Sequence, residues 1–191
     1  MLVNIKKCFC LVLLLALVFS SLACSEAPSK VTLRYEPSPH FSLRPKGTVI
    51  DTVVLHATER ESLEQVIKIF QSPQFQVSSH YTIGKKGELV RHVKDDLMAW
   101  HAGKSKMPDG RESVNAFSIG IELLNRNDGK DPYPKLQIDR LKSLLMRLKK
   151  EYPIRYLVSH ARVAMPPGRK SDPANLDLSE VGAELGIKVV D

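Results

Sequence analysis

Apolar and polar positions along this chain switch repeatedly between a twofold and a helical period, and the switches mark out its elements. The run from Val49 to Leu55 is apolar and β-branched, the pattern of a strand buried on both faces. Leu63, Val66, Ile67 and Phe70 then recur at helical spacing behind Ser62 and Gln65, which form a capping box. A hairpin follows, with strands at 79–83 and 88–93 around the turn Gly84-Lys85-Lys86-Gly87. Residues 117–124 read as another strand. Ile138, Leu141, Leu144, Leu145 and Leu148 mark an amphipathic helix that Pro153 closes, leading to a strand at 155–159. A last short helix opens on Asp177 and Glu180 and stops at Gly186. This order predicts a single α/β domain with a mixed central sheet flanked by helices.

The first 23 residues stand apart from that pattern. Lys6 and Lys7 precede an apolar run, from Cys8 to Phe19, that is too short for a spanning helix of about 20 residues, and small residues follow it. This reads as an export signal occupying residues 1–23. Cys8 and Cys10 leave with it, so Cys24 is the one cysteine retained and no intramolecular disulfide can form. Ser21-Leu22-Ala23-Cys24 resembles a bacterial lipobox, which makes Cys24 a lipidation site. The alternative is an ordinary cut after Ala23 and a soluble periplasmic or secreted protein. Ser25 fits an outer-membrane lipoprotein facing the periplasm. Residues 24–36 read as the tether and 37–191 as the catalytic domain, with prolines and serines scattered through 25–48. Loss of the two leader lysines takes the formal charge from +7 to +5, which suits a polyanionic partner. The basic residues are scattered, however, and nucleic-acid binding contradicts export.

Candidate chemistry gathers at the strand ends, where ligands collect in such sheets. His56 and His160 each end an apolar strand, and the segment VSHARVAMPPGRKSDP carries His160, Lys170 and Asp172 on a proline-broken loop. Two imidazoles and the Asp172 carboxylate leave a fourth tetrahedral position for water, the arrangement a catalytic zinc needs. A hydrogen-bonded core histidine is the plain alternative for either ring. Along residues 118–123 the two isoleucines and Leu123 share one face, while Ser118, Gly120 and Glu122 share the other. Glu122 thus projects over small neighbours with room for a substrate and can act as a general base; the alternative is a salt-bridged or solvent-facing glutamate. Lys170 lies two residues from Asp172 on the same side, placed either to steady an oxyanion or to pair with that carboxylate.

The blocks PSPHFSLRP, VVLHAT, SSHYTIGKKGELV, AWHAG, NAFSIGIELLN and SHARVAMPPGRKSDP, in this order, resemble the zinc-dependent type-2 N-acetylmuramoyl-L-alanine amidases, which share a fold with peptidoglycan recognition proteins. The resemblance covers nearly the whole domain. It implies a zinc ion held by His56, His160 and Asp172, water activation by Glu122, and an oxyanion steadied by Lys170. It implies hydrolysis of the amide between N-acetylmuramic acid, in the ordinary or 1,6-anhydro form, and the L-alanine of the stem peptide, in wall turnover or recycling. The alternative within the fold is a non-catalytic peptidoglycan-binding lipoprotein. Trp100 and His101 fall where the family receives glycan or peptide, with core packing as the other reading of Trp100, and Arg111 is a candidate for a substrate carboxylate. His80 is the rival ligand, while His40 and His92 read as structural or exposed. The expected partners are peptidoglycan or muropeptides and a membrane reached through the lipid anchor, with the protein a monomer. Three departures stand out: Ser159 precedes His160 where the family usually has glycine, the stretch from His160 to Asp172 is longer than in the family, and Ala174-Asn175 replace the usual glycine and proline.

Overall fold

A computed structural model describes residues 33–190; the leader, Cys24 and most of the tether lie outside the described residues. In chain order the elements are β1 (Arg34–Tyr35), β2 (Phe41–Leu43), β3 (Thr52–Ala57), α1 (Leu63–Gln71), β4 (Tyr81–Ile83), β5 (Leu89–Arg91), β6 (Leu97–Ala99), a 3-10 turn (Val114–Phe117), β7 (Ser118–Leu123), α2 (Lys135–Glu151), β8 (Tyr156–Ser159), α3 (His160–Val163), α4 (Leu178–Leu185) and β9 (Lys188–Val189). Seven strands form one sheet in the order β1-β5-β4-β7-β3-β8-β9, and β2 and β6 pair separately. From β4 to β9 the neighbours run parallel, while β5 returns antiparallel to β4 and carries β1 beside it. The mixed sheet with flanking helices is therefore the fold that forms. It reaches back to Arg34, inside the stretch expected to be tether.

Side-chain alternation on the central strands gives the two faces of the sheet different jobs. Val53, Leu55, Ile119, Ile121, Leu123 and Leu157 point to the face covered by α2 and α4, where they meet Leu141, Leu145 and Leu148 in one apolar cluster. The opposite face carries Val54 and Val158 among a smaller set of apolar contacts. By the same alternation it carries His56, Gly120 and Glu122. Leu145 is fully buried at the centre of the first cluster. Its replacement by alanine should cost about 2–5 kcal/mol in chemical denaturation.

Element ends follow the local chemistry closely. Ser62 caps α1 by accepting from the Gln65 amide, and Gln65 Oε1 reaches back to the Glu61 amide at 3.0 Å, one residue before the position the box predicts. Asp177 caps α4, and Gly186 ends it at φ 59, a left-handed turn that suits glycine. The first central strand starts later than its apolar run. Thr52 is the first residue of β3 because its partners β7 and β8 begin opposite it, at Ser118 and Tyr156. Val49 is left 57% exposed.

Candidate metal centre and cleft

Parallel register brings the chemistry together at the carboxyl end of the sheet. His56 on β3 stands opposite Glu122 on β7, and β8 delivers His160 immediately after Ser159. His160 is the first residue of a helical turn rather than of a loop, because the Ser159 side chain caps α3 by accepting from the Arg162 amide. The longer stretch that follows still returns Asp172 to the centre. Arg169 folds it back by donating to the carbonyls of Met165, Ala102 and Lys104, and the Ala161 amide donates to the Asp172 carbonyl at 2.9 Å.

His56, His160 and Asp172 converge as a buried triad whose ligand atoms lie within 4.8 Å of one another. The Nδ1 atoms of His160 and His56 lie 3.1 and 3.4 Å from the same oxygen, Asp172 Oδ2. Burial works to raise the Asp172 carboxyl, but the hydrogen bond to the His160 ring foremost holds it far below the usual carboxylate range. Burial, reinforced by the neighbouring His160, drops His56 to about 4, so its ring is neutral at physiological pH. His160 Nε2, Asp172 Oδ1 and Glu122 Oε2 are all buried without a hydrogen-bond partner. Unpaired donors and acceptors of this kind, gathered around two imidazoles and a carboxylate, fit a bound divalent cation.

These groups line one cavity of about 180 Å³ together with the apolar side chains Ile69 and Phe70 of α1, Val77 and Trp100. Glu122, Lys170 and Arg60 face the same space. Burial, then the charge of Asp172, pushes the Glu122 carboxyl up to about 8. Lys170 makes no ion pair with Asp172 among the described residues, which leaves its ammonium for the cleft. Arg60 and the part of α1 in lining the cleft went unnoticed in the sequence, where the available signal was their place just after the strand that carries His56.

Other candidates lie elsewhere or do other work. Arg111 is outside the cleft. Its Nη1 donates to both carboxylate oxygens of Asp51, before the opposite end of β3, its Nε donates to Asp109, and the group stacks on Phe117, so Nε and Nη1 are already committed. The rival ligand His80 is fully buried and uses both ring nitrogens, one accepting from the Gly120 amide and the other donating to the Leu97 carbonyl. His40 and His92 are structural, bonded to the Ser72 and Glu36 carbonyls. Trp100 is half-buried, with Nε1 donating to Ser42 Oγ and its ring tilted against His40. His101 borders the cavity but is only 9% exposed, and its ring fills the space over Gly120 that the alternation had offered to substrate.

A two-histidine, one-carboxylate centre beside a buried glutamate, at the strand ends of an α/β sheet, fits a metal-assisted hydrolase. The family Amidase_2, N-acetylmuramoyl-L-alanine amidase, matches residues 23–175. The chain is 33% identical to the 1,6-anhydro-N-acetylmuramyl-L-alanine amidase AmpD of Escherichia coli K12, over 75% of this chain and 86% of the relative. A crystal structure of a selenomethionine derivative of AmpD superposes with a TM-score of 0.68 at 30% identity, covering 79% of this chain and 93% of the other. The amidase AmiD from E. coli, solved with anhydro-N-acetylmuramic acid-L-Ala-D-γ-Glu-L-Lys, gives 0.63 at 28% identity, covering 75% and 61%. The chain belongs to the N-acetylmuramoyl-L-alanine amidase family. Its reaction is hydrolysis of the amide between N-acetylmuramic acid and the L-alanine of the stem peptide, in cell-wall turnover.

Proposed function

We propose that this protein is a zinc amidase that prefers 1,6-anhydro-muropeptides and works from a lipid anchor at Cys24 in the outer membrane, facing the periplasm. The convergence of the His56 and His160 rings on one carboxylate oxygen of Asp172, beside the buried Glu122 with its unpartnered Oε2, carries the catalytic part of this reading. His56, His160 and Asp172 would hold the zinc, which would supply Lewis acidity to the scissile carbonyl and the attacking water. Glu122 takes the proton from the attacking water and passes it to the departing L-alanine amine. Lys170 faces the same cavity and offsets the charge that develops on the carbonyl oxygen. The apolar wall of α1 and Trp100 exclude water from one side of the bond and take up the uncharged parts of the muropeptide, while Arg60 stands where a stem carboxylate can be met.

The anhydro preference is supported by the relatives, several of which are named for that form of the sugar. The anchor is supported by the lipobox-like Ser21–Cys24 ahead of the folded domain. No helix among the described residues is long and apolar enough to cross a membrane, so retention there depends on the segment before residue 33. Matched muropeptides ending in anhydro or reducing muramic acid, incubated with the zinc-loaded protein and followed by mass spectrometry, test the substrate. Free stem peptide should appear faster from the anhydro form, and equal rates would remove the preference. Membrane fractionation of cells making the chain with Cys24→Ala should shift it to the soluble periplasm; an unchanged distribution would remove the anchor.

A further inference from the structure

We propose that His101 and Ser118 are positioning residues that fix the tautomer of His56, leaving its Nδ1 lone pair free for the metal. The proposal rests on the metal reading of the triad. It starts from a group that has no choice of role. The Val114 main-chain carbonyl can only accept, and Ser118 Oγ lies 2.7 Å from it, so the single hydroxyl proton of Ser118 is spent there. Ser118 Oγ then meets His101 Nε2, 3.1 Å away, as an acceptor, and the proton between them belongs to the ring. A neutral imidazole protonated at Nε2 presents Nδ1 as a lone pair. His56 Nε2 lies 3.1 Å from that lone pair and must be the donor.

The consequence falls on the metal side of His56. With its proton held on Nε2, His56 has none at Nδ1, the atom 3.4 Å from Asp172 Oδ2. A bare lone pair and an ionised carboxylate oxygen repel each other at that distance, and a cation between them removes the conflict. Metal-binding histidines commonly take their orientation and basicity from a partner on the second ring nitrogen. Here that partner is another histidine, whose own direction is set by a hydroxyl and a backbone carbonyl.

Three features hold His101 in this role. Asn115 Oδ1 accepts from the amides of His101 and Ala102 at 3.3 and 2.8 Å, which fixes the backbone on either side of the ring. Gly120 gives the ring its seat, because a methyl group there would come within 2.5 Å of the His101 ring. The neighbouring His80 does not compete, since its Nδ1 already accepts from the Gly120 amide and its Nε2 donates to Leu97. Asn115, Ser118 and Gly120 thus form, within six residues of chain, a cradle for a residue that touches the ligand rather than the metal.

Two measurements on the full domain test this. Long-range proton–nitrogen correlation spectra of the zinc-loaded wild type should show both His56 and His101 protonated at Nε2. Zinc affinity from competition with a chromophoric chelator should fall about 10–100-fold in Ser118→Ala, and the spectra of that variant should show His101 shared between tautomers. A wild-type His101 protonated at Nδ1 overturns the relay, even if Ser118→Ala fails to fold. So does a folded Ser118→Ala with unchanged zinc affinity. A wild type that takes up no zinc removes the metal reading as well, whereas normal zinc binding with the wrong His101 tautomer removes the relay alone.

Discussion

Glu122→Gln should lower turnover of muropeptide by about 10²–10⁴-fold, the usual contribution of a general base, and leave zinc content unchanged. Glutamine fills the same volume and keeps an oxygen, but it cannot take a proton. Glu122 stands opposite His56 in the sheet yet lies outside the triad that gathers around Asp172, so its loss removes chemistry without removing a ligand. Turnover within tenfold of wild type would take Glu122 out of the mechanism. The same substitution has a second expected effect, of opposite sign, on stability. In the metal-free chain, burial and the charge of Asp172 raise the folded-state pKa of Glu122 from the ordinary 4.5 to about 8, and a cation at the triad would draw it back toward the ionised form that a base requires. Between those values the unfolded chain releases the proton while the folded chain keeps it, so the wild type loses stability as pH rises through that window. Metal-free Glu122→Gln should therefore melt above the wild type at pH 8 by several degrees, on the order of 2–4 °C per kcal/mol for a domain of this size, with the gap closing near pH 4.5. Melting curves in chelator at pH 5 and 8 read the difference, and a gap that grows toward low pH contradicts the buried-carboxyl account. A residue kept at a cost in stability is one retained for what it does.

How much of this was legible in the residues depends on which contacts a side chain uses. The β7 alternation was readable because a period of two is a local property, and Ile119, Ile121 and Leu123 do share the core face. Both helix caps were readable for the same reason: Ser62 and Asp177 act on amides three residues away. The short strands β1, β2, β6 and β9 were not, since two or three residues carry no period and are held by partners far along the chain. Arg111 shows the same limit from the other side. Its partner Asp51 is 60 residues away, and nothing local distinguishes an arginine reserved for a buried carboxylate from one that meets substrate. Ser118 and Gly120 were seen as small residues making room. What fills the room, the ring of His101, comes from a segment 17 residues earlier and is visible only once both are placed.

Replacing Asp172 with asparagine should abolish both zinc binding and turnover, a pattern distinct from that of Glu122→Gln. Asp172 is the single anionic group of the triad, and both imidazoles address one of its oxygens. The hydrogen bond to His160 foremost holds the carboxyl far below the usual range, so it is ionised across the whole pH range in which the enzyme works. An amide oxygen in its place carries no net charge and answers a dication's demand for a hard anionic donor poorly. The loss in affinity should exceed the roughly 10–100-fold typical of removing a group that merely supports a ligand. Wild type saturated with zinc at about a thousand times its dissociation constant gains about 4 kcal/mol, or on the order of 10 °C in melting temperature. Adding chelator to wild type should erase that increment, and Asp172→Asn should show none of it at the same zinc concentration. An asparagine variant that keeps zinc affinity within tenfold of wild type would remove Asp172 from the ligand set and leave the long return of the chain from His160, pinned by Arg169, without its metal-binding purpose.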